Sequence, residues 1–329
     1  ILISGVSCTE DYLDVKPNKS TVVPSTLIDM QALLDYDGVM NSGTPGMGEL
    51  SSDAYYNTYD RWNTLTSPYM KNGYIWAKEI WEGQTSIDWN NRYQQAYYAN
   101  VVLENLAKMD RPENSELYDR IKGSALFFRA FAFHQLAQLF CQPYNQTGSN
   151  DGPGIPLRLT SDLNVPVTRA TVKETYDQIL ADLFESVDLL PESDSYKTRP
   201  VRASAHAFLS RVYLSMQDYD NALDHAEAAI TPSWQLIDYN TLVPSASYPM
   251  TRNNSEVLFH CRMTVYTNLS SSRLIIDSLL YNSYENNDIR KTAWFKTVTG
   301  NKTFKGSYDG SSQFFNGFAL DEVYLTKAR

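Results

Sequence analysis

The segment between residues 49 and 89 concentrates the side chains that are best suited to binding a ligand. It holds four of the six tryptophans of the chain and five tyrosines, without the spacing of an amphipathic helix. These rings are Tyr55, Tyr56, Tyr59, Trp62, Tyr69, Tyr74, Trp76, Trp81 and Trp89. Large rings on loops expose flat apolar faces, on which the C–H faces of sugar rings can stack. The neighbouring polar side chains of Asp53, Asn57, Asp60, Arg61 and Asn63 can hydrogen-bond sugar hydroxyls.

We predict that ligand-binding residues lie in this segment, with one weaker candidate further along the chain. The predicted set is Asp53, Tyr55, Tyr59, Arg61, Trp62, Asn63 and, between Lys291 and Lys296, Trp294. The alternative is that the rings pack as a core beneath a long loop. Both interpretations stay open for Tyr59 and Trp62, whereas Trp76 and Trp89 are expected to pack.

Motifs for catalysis and metal binding are missing from the sequence. It contains no GxSxG nucleophile elbow, no HExxH, no phosphate-binding loop and no GxGxxG. The histidines are isolated from one another, and no CxxC occurs. The 38 acidic residues offer many carboxylate pairs, but no specific pair stands out for glycoside hydrolysis. We therefore expect no catalytic residue, no metal site and no cofactor.

Composition narrows the possible partners. The chain has 28 basic and 38 acidic residues, a net charge of -10, which argues against nucleic acid because phosphate binding needs a basic patch. No run of about 18 apolar residues is present, so no membrane-spanning helix is expected. Cys141 and Cys261 are expected to be free, partly buried thiols, with a disulfide as the alternative.

The first eight residues form a short apolar run that ends in small residues and Cys8. This pattern is typical of the tail of a secretory signal that stops at a lipid-modified cysteine. The alternative is an apolar start with an incidental cysteine. On the first interpretation residues 1–8 are a signal remnant, residues 9–26 are a tether, and the lipid is the only membrane contact.

The elements predicted around the aromatic segment are helical hairpins. Spacing over residues 202–230 predicts two helices joined by a tight turn, with small residues in the tetratricopeptide pattern. A capping box from Thr171 to Glu174 begins the preceding helix, which Pro191 ends. Helical repeats are expected over about 89–143 and 171–231, and another begins at residue 319. The parts at about 38–88 and 232–318 are expected to be rich in loops and short strands.

An ordered set of short motifs carries a family likeness. The set is Cys8 with Thr9-Glu10-Asp11-Tyr12-Leu13-Asp14, Trp89 with Tyr93, Ala99 and Asn100, and then Ala125–Phe133, Gly154–Leu157, Arg169–Val172, Tyr176–Leu183, Tyr213–Ile230 and Asp321–Leu325. In this order the chain resembles the SusD/RagB family of surface nutrient-binding lipoproteins from Bacteroidetes-type bacteria.

The resemblance implies a mainly α-helical protein. Tetratricopeptide-like helical pairs would form one side, and an irregular, loop-rich side with short strands would bind the ligand. We expect residues 27–329 to form one such domain, truncated relative to longer family members. The likeness also implies a lipid-anchored location on the outer face of a Gram-negative outer membrane.

The same resemblance implies a partner and a function. The partner is a TonB-dependent (SusC-like) transporter, and the ligand is usually an oligosaccharide. The expected function is non-catalytic capture of that ligand for the transporter. The alternatives are a surface scaffold that binds peptide or protein through its helical repeats and, less favoured by the sequence, a glycoside hydrolase.

Overall fold

The computed structural model describes residues 24–113, 115–270 and 273–329. Its fold is mainly helical with short strands, which confirms the predicted fold class. The proposed lipidation residue Cys8, the signal remnant and most of the tether lie outside the described residues.

The secondary structure of the described residues is dominated by helices of very different lengths. The helices are α1 (Leu27–Leu34), α2 (Asp37–Met40), α3 (Met47–Leu50), α4 (Tyr59–Asn63), α5 (Pro68–Tyr74), α6 (Ile87–Leu106), α7 (Glu116–Phe140), α8 (Val172–Leu189), α9 (Arg202–Ser215), α10 (Tyr219–Ala229), α11 (Ser278–Ser283), α12 (Arg290–Ala293) and α13 (Leu320–Lys327). The strands are antiparallel pairs: β1 (Tyr55–Tyr56) with β5 (Ile275–Ile276), β2 (Pro153–Pro156) with β3 (Arg169–Thr171), β4 (Val257–Phe259) with β8 (Phe318–Ala319), and β6 (Phe295–Val298) with β7 (Asn301–Phe304).

Helices α6 to α10 and α13 form what we call the helical side. Helix α6 packs against α7, α7 against α8, and α9 against α10. The predicted capping box is confirmed, because the Thr171 hydroxyl accepts from the Glu174 N–H at 3.1 Å and the Glu174 carboxylate accepts from the Thr171 N–H at 2.8 Å. Gln217 makes the tight turn between α9 and α10 with a left-handed φ of 63°.

A cluster of phenylalanine rings forms the centre of the main core. Its fully buried rings are Phe127, Phe128, Phe131, Phe208, Phe259 and Phe318. Phe127 on α7 meets Phe259 on β4 at 4.9 Å between centroids, and Phe208 on α9 meets Phe318 on β8 at 5.2 Å. The β4–β8 pair is therefore packed directly onto the helices.

Residues 38–86 and 232–318 form what we call the loop side. A second, smaller core lies here, and its buried members are Met47, Leu50, Tyr55, Tyr266, Leu269, Leu274, Ile276 and Phe295. The part expected to be irregular contains the short helices α3, α4 and α5. Helices of four to seven residues are too short to show a period in the sequence, so these three helices were not predicted within the loop-rich part.

Buried polar residues of α6 join the two sides. The Asp88 carboxylate accepts from the N–H groups of Gly46 and Met47, at 3.2 and 3.1 Å. Arg92, which is fully buried, donates to the Ser42 carbonyl at 2.8 Å, and Gln95 donates to the Met40 carbonyl at 2.6 Å. Helix α6 thus holds the backbone of residues 40–47 through these buried hydrogen bonds.

Candidate functional site

Tyr59 and Trp62 lie next to each other on the one-turn helix α4. The Thr58 hydroxyl caps this helix by accepting from the Arg61 N–H at 3.4 Å. Tyr59 is 70% exposed, Trp62 is half-buried, and their ring centroids are 5.8 Å apart. The Trp62 indole N–H donates to the Lys71 carbonyl at 3.2 Å, which fixes the orientation of the ring. The pair therefore presents aromatic surface whose polar edge is already satisfied.

Trp76 is a third exposed ring on this part of the chain. Its side chain is 77% exposed, and its indole N–H donates to the Ser51 carbonyl at 3.1 Å. The backbone of Trp76 has a φ of 56°, a left-handed conformation that costs free energy for a bulky residue. The expectation that Trp76 packs into a core was wrong. Trp89, which was also expected to pack, does so: the centroid of its ring lies 5.0 Å from that of Phe140.

Two arginines from distant segments fix the position of α4. Arg61 donates to the Arg273 carbonyl at 3.0 Å, and Arg273 donates to the Arg61 carbonyl at 2.6 Å. Arg273 also reaches the Thr64 hydroxyl at 2.9 Å. Part of the Arg61 guanidinium is thus occupied in holding the helix, which leaves its remaining N–H groups for a ligand.

The polar side chains beside the rings are free. Asp53 and Asn63 are exposed, and neither side chain makes a hydrogen bond or ion pair among the described residues. The side-chain nitrogen of Asn57 is buried, and no acceptor lies near it in the described ranges. We call these side chains of the segment 53–76, namely Tyr59, Trp62, Trp76, Asp53 and Asn63, the ring surface; among its rings, Tyr59 and Trp62 contact each other.

Tyr55 belongs to the second core instead of the ring surface. It is only 4% exposed, it pairs with Ile276 across the β1–β5 strands, and its hydroxyl donates to the Glu49 carbonyl at 2.6 Å. Burial raises the pKa of the Tyr55 hydroxyl, as expected for a phenol that is kept neutral inside a core. The prediction that Tyr55 contacts a ligand is therefore corrected.

Trp294 lies among other rings. It is half-buried, with Tyr239 at 6.1 Å and Tyr284 at 6.3 Å between centroids. Neither Tyr59 nor Trp62 is among its ring contacts in the described chain. The structure thus brings Tyr59 and Trp62 together but places Trp294 in a different aromatic group.

A cavity of about 700 Å³ opens elsewhere, between α7, α9 and residues 307–322. Four of its polar side chains pair with one another: Arg211 binds Glu322 at 2.5 Å, and His134 contacts the Ser215 hydroxyl at 3.3 Å. Burial, aided by the charge of Arg211, lowers the pKa of His134 to about 3, so this imidazole is neutral near pH 7. The cavity includes none of the predicted ligand-binding residues.

Cys141 and Cys261 are free thiols, as expected. Within the described ranges, no three His, Cys, Asp or Glu side chains come together as metal ligands. In the same ranges, every helix is too short or too polar to cross a membrane.

Comparison with known proteins now assigns the family. The model of the SusD-like family, described as starch-binding associating with outer membrane, matches residues 11–214, more than half of the chain. The chain belongs to the SusD-like family.

Relatives agree with this assignment. SusD-like protein P2 from Formosa agariphila is 28% identical over 149 residues, which is 45% of this chain but only 27% of that relative. The match thus spans about a quarter of the length of the curated relative.

Solved structures share the fold. A SusD superfamily protein from Bacteroides thetaiotaomicron has a TM-score of 0.71 at 20% identity, over 92% of this chain and 75% of the other. Surface glycan-binding protein A from Bacteroides fluxus has a TM-score of 0.65 at 16% identity, over 94% of this chain and 75% of the other. At these identities the likeness concerns the fold alone.

Proposed function

We propose that this chain binds oligosaccharides on the ring surface without cleaving them. The observation that carries the proposal is that Tyr59 and Trp76 are exposed and Trp62 is half-exposed, while both indole N–H groups are held by backbone carbonyls. Rings that are fixed before binding lose little conformational entropy when a sugar stacks on them. The free side chains of Asp53 and Asn63 would then select the positions of the hydroxyls.

Family membership supports this ligand class. The family model is described as starch-binding, and one structural neighbour is a surface glycan-binding protein. By the same likeness, the chain would pass its ligand to a TonB-dependent outer-membrane transporter. It would stay at the cell surface through a lipid on Cys8.

A binding screen tests the proposal directly. The purified chain is run through gels that contain single polysaccharides, and the same mixtures are assayed for new reducing ends. We expect retardation by at least one glycan without release of reducing ends. Release would contradict the non-catalytic claim, and the absence of retardation by every glycan would contradict glycan binding.

Substitutions then locate the site. We expect Tyr59→Ala, Trp62→Ala and Trp76→Ala each to weaken binding about tenfold, which corresponds to about 1.4 kcal/mol and is within reach of one aromatic contact. Tyr219→Ala is the matched control, because Tyr219 is also exposed (47%) but lies on α10. Unchanged affinity in all three ring variants would place the site elsewhere. Association with the transporter should survive Trp62→Ala, since that contact does not need the ligand.

A further inference from the structure

A second cleft lies along the first half of α6, and the ring surface contributes none of its residues. Its volume is about 520 Å³, which falls within the range of about 300–1,000 Å³ typical of small-molecule sites. One wall is α6, and the other is the loop from residue 156 to 167. We call it the α6 cleft.

Three aromatic rings follow one another along the helical wall. Trp89, Tyr93 and Tyr97 are four residues apart, so successive positions rise by about 6 Å along the helix axis. That rise is close to the length of one sugar ring. Trp89 and Tyr93 are half-buried with their ring centroids 4.9 Å apart, whereas Tyr97 is 37% exposed.

Amide side chains lie between these rings without partners. Asn90 and Gln94 are exposed in the α6 cleft, and neither makes a side-chain hydrogen bond among the described residues. Each amide offers donors and an acceptor, which suits hydroxyl groups that both donate and accept. Among the described residues, Arg158 is the one charged side chain that lines the cleft, so uncharged or acidic ligands are favoured.

Hydrogen bonds hold the two walls together in the absence of ligand. The Tyr93 hydroxyl donates to the Pro156 carbonyl at 2.8 Å, and the Asn100 side chain donates to the Arg158 carbonyl at 2.8 Å. A cleft whose walls are already fixed needs little reorganisation to bind.

We propose that the α6 cleft is a second oligosaccharide site, which takes a short uncharged or acidic saccharide stacked on Tyr97, beside Trp89 and Tyr93, and hydrogen-bonded to Asn90 and Gln94. The inference rests on the proposed function for its ligand class, but it concerns different residues. A chain with two separate sites would hold a long polysaccharide at two points, which raises the apparent affinity through effective concentration.

The test separates the two sites by substitution. The full chain is titrated by calorimetry with maltohexaose, cellohexaose and hexagalacturonate, in the parent and in the triple variant Tyr59→Ala/Trp62→Ala/Trp76→Ala. The triple variant should retain one binding event. Adding Tyr97→Ala and Gln94→Ala should then weaken that event at least tenfold. Tyr324→Ala is the control, because Tyr324 is an equally exposed tyrosine (41%) on α13.

Each outcome decides something. Loss of all binding in the triple variant overturns the α6 cleft but leaves the proposed function intact. Residual binding whose affinity is unchanged by Tyr97→Ala and Gln94→Ala also contradicts the proposed site in the α6 cleft. No binding of any of the three saccharides to the parent chain overturns the cleft and counts against the proposed function. Competition by a proline-rich peptide for the residual site, with no saccharide bound there, assigns the cleft to peptide.

Discussion

The helical side and the loop side bury their apolar residues in different ways. On the helical side, long helices pack onto sequence neighbours, and the main core collects rings from α7, α9, β4 and β8. On the loop side, short helices are joined by side-chain bonds to backbone, such as the Arg61–Arg273 pair across 212 residues. The difference teaches that the pairing of helices depends mostly on local structure, whereas the ring surface depends on distant contacts.

The largest effect on stability is expected from removal of a ring at the centre of the main core. Phe127→Ala should lower the free energy of unfolding by about 3–5 kcal/mol, because a fully buried ring leaves a cavity among close-packed neighbours. Chemical denaturation measures the loss. Phe295→Ala in the second core should cost less, since that core is smaller. Equal losses would show that the two sides are equally well packed.

The pH dependence of stability tests the buried imidazole of the helical side. Burial lowers the folded pKa of His134 to about 3 from an ordinary value near 6.5. Below pH 6.5 the unfolded chain therefore binds a proton that the folded chain does not bind. The free energy of unfolding should decrease as the pH is lowered, by up to about 1.4 kcal/mol per pH unit. Denaturation between pH 8 and pH 4 measures the slope.

His134→Gln should reduce this slope without removing it. His206 supplies part of the remainder, because burial and the neighbouring His225 lower its pKa to about 4. Above pH 7.5 the free energy of unfolding should depend on pH in the same way in the parent and in the variant. A slope that is the same in both chains would show that His134 is not the titrating group.

A pair of cap substitutions compares the two sides at matched positions. Thr171→Ala removes the cap of the 18-residue helix α8 and should cost about 1 kcal/mol. Thr58→Ala removes the cap of the five-residue, exposed helix α4 and should change global stability much less, while weakening glycan binding. If Thr58→Ala destabilises the whole chain as much as Thr171→Ala, α4 is part of the cooperative scaffold.

The smallest expected effect concerns the backbone of Trp76. Trp76→Gly should be more stable than Trp76→Ala by about 1 kcal/mol, because glycine adopts the left-handed conformation without the cost that a Cβ brings. Both variants should lose glycan affinity alike. Equal stability of the two variants would show that the turn relaxes once the ring is gone.

Local patterns predicted the scaffold well. The capping box at Thr171, the hairpin of α9 and α10, and the helix that begins at Leu320 follow from spacing and turn residues alone. Local signals suffice there because each helix is fixed by residues within a few positions.

The ring surface could be predicted only in outline. Sequence pointed to the segment of residues 49–89 and to Tyr59 and Trp62, but it could not separate the buried Tyr55, which pairs with Ile276, from the exposed Trp76, whose indole N–H donates to the Ser51 carbonyl. Nor did it indicate that Asp88 and Arg92 are buried to hold residues 42–47. These outcomes depend on partners far along the chain, which periodicity does not report.

The Arg61–Arg273 bonds and the β1–β5 pairing have a consequence for synthesis of the chain. Ribosomes make residues 59–76 early, yet the segment that anchors them, residues 273–276, emerges only after about 200 more residues. The contacts that hold the ring surface can therefore form only late in translation. Chains that stop short of residue 273 would keep many of the helical pairs and lack the contacts that hold the ring surface, where we propose that the ligand binds.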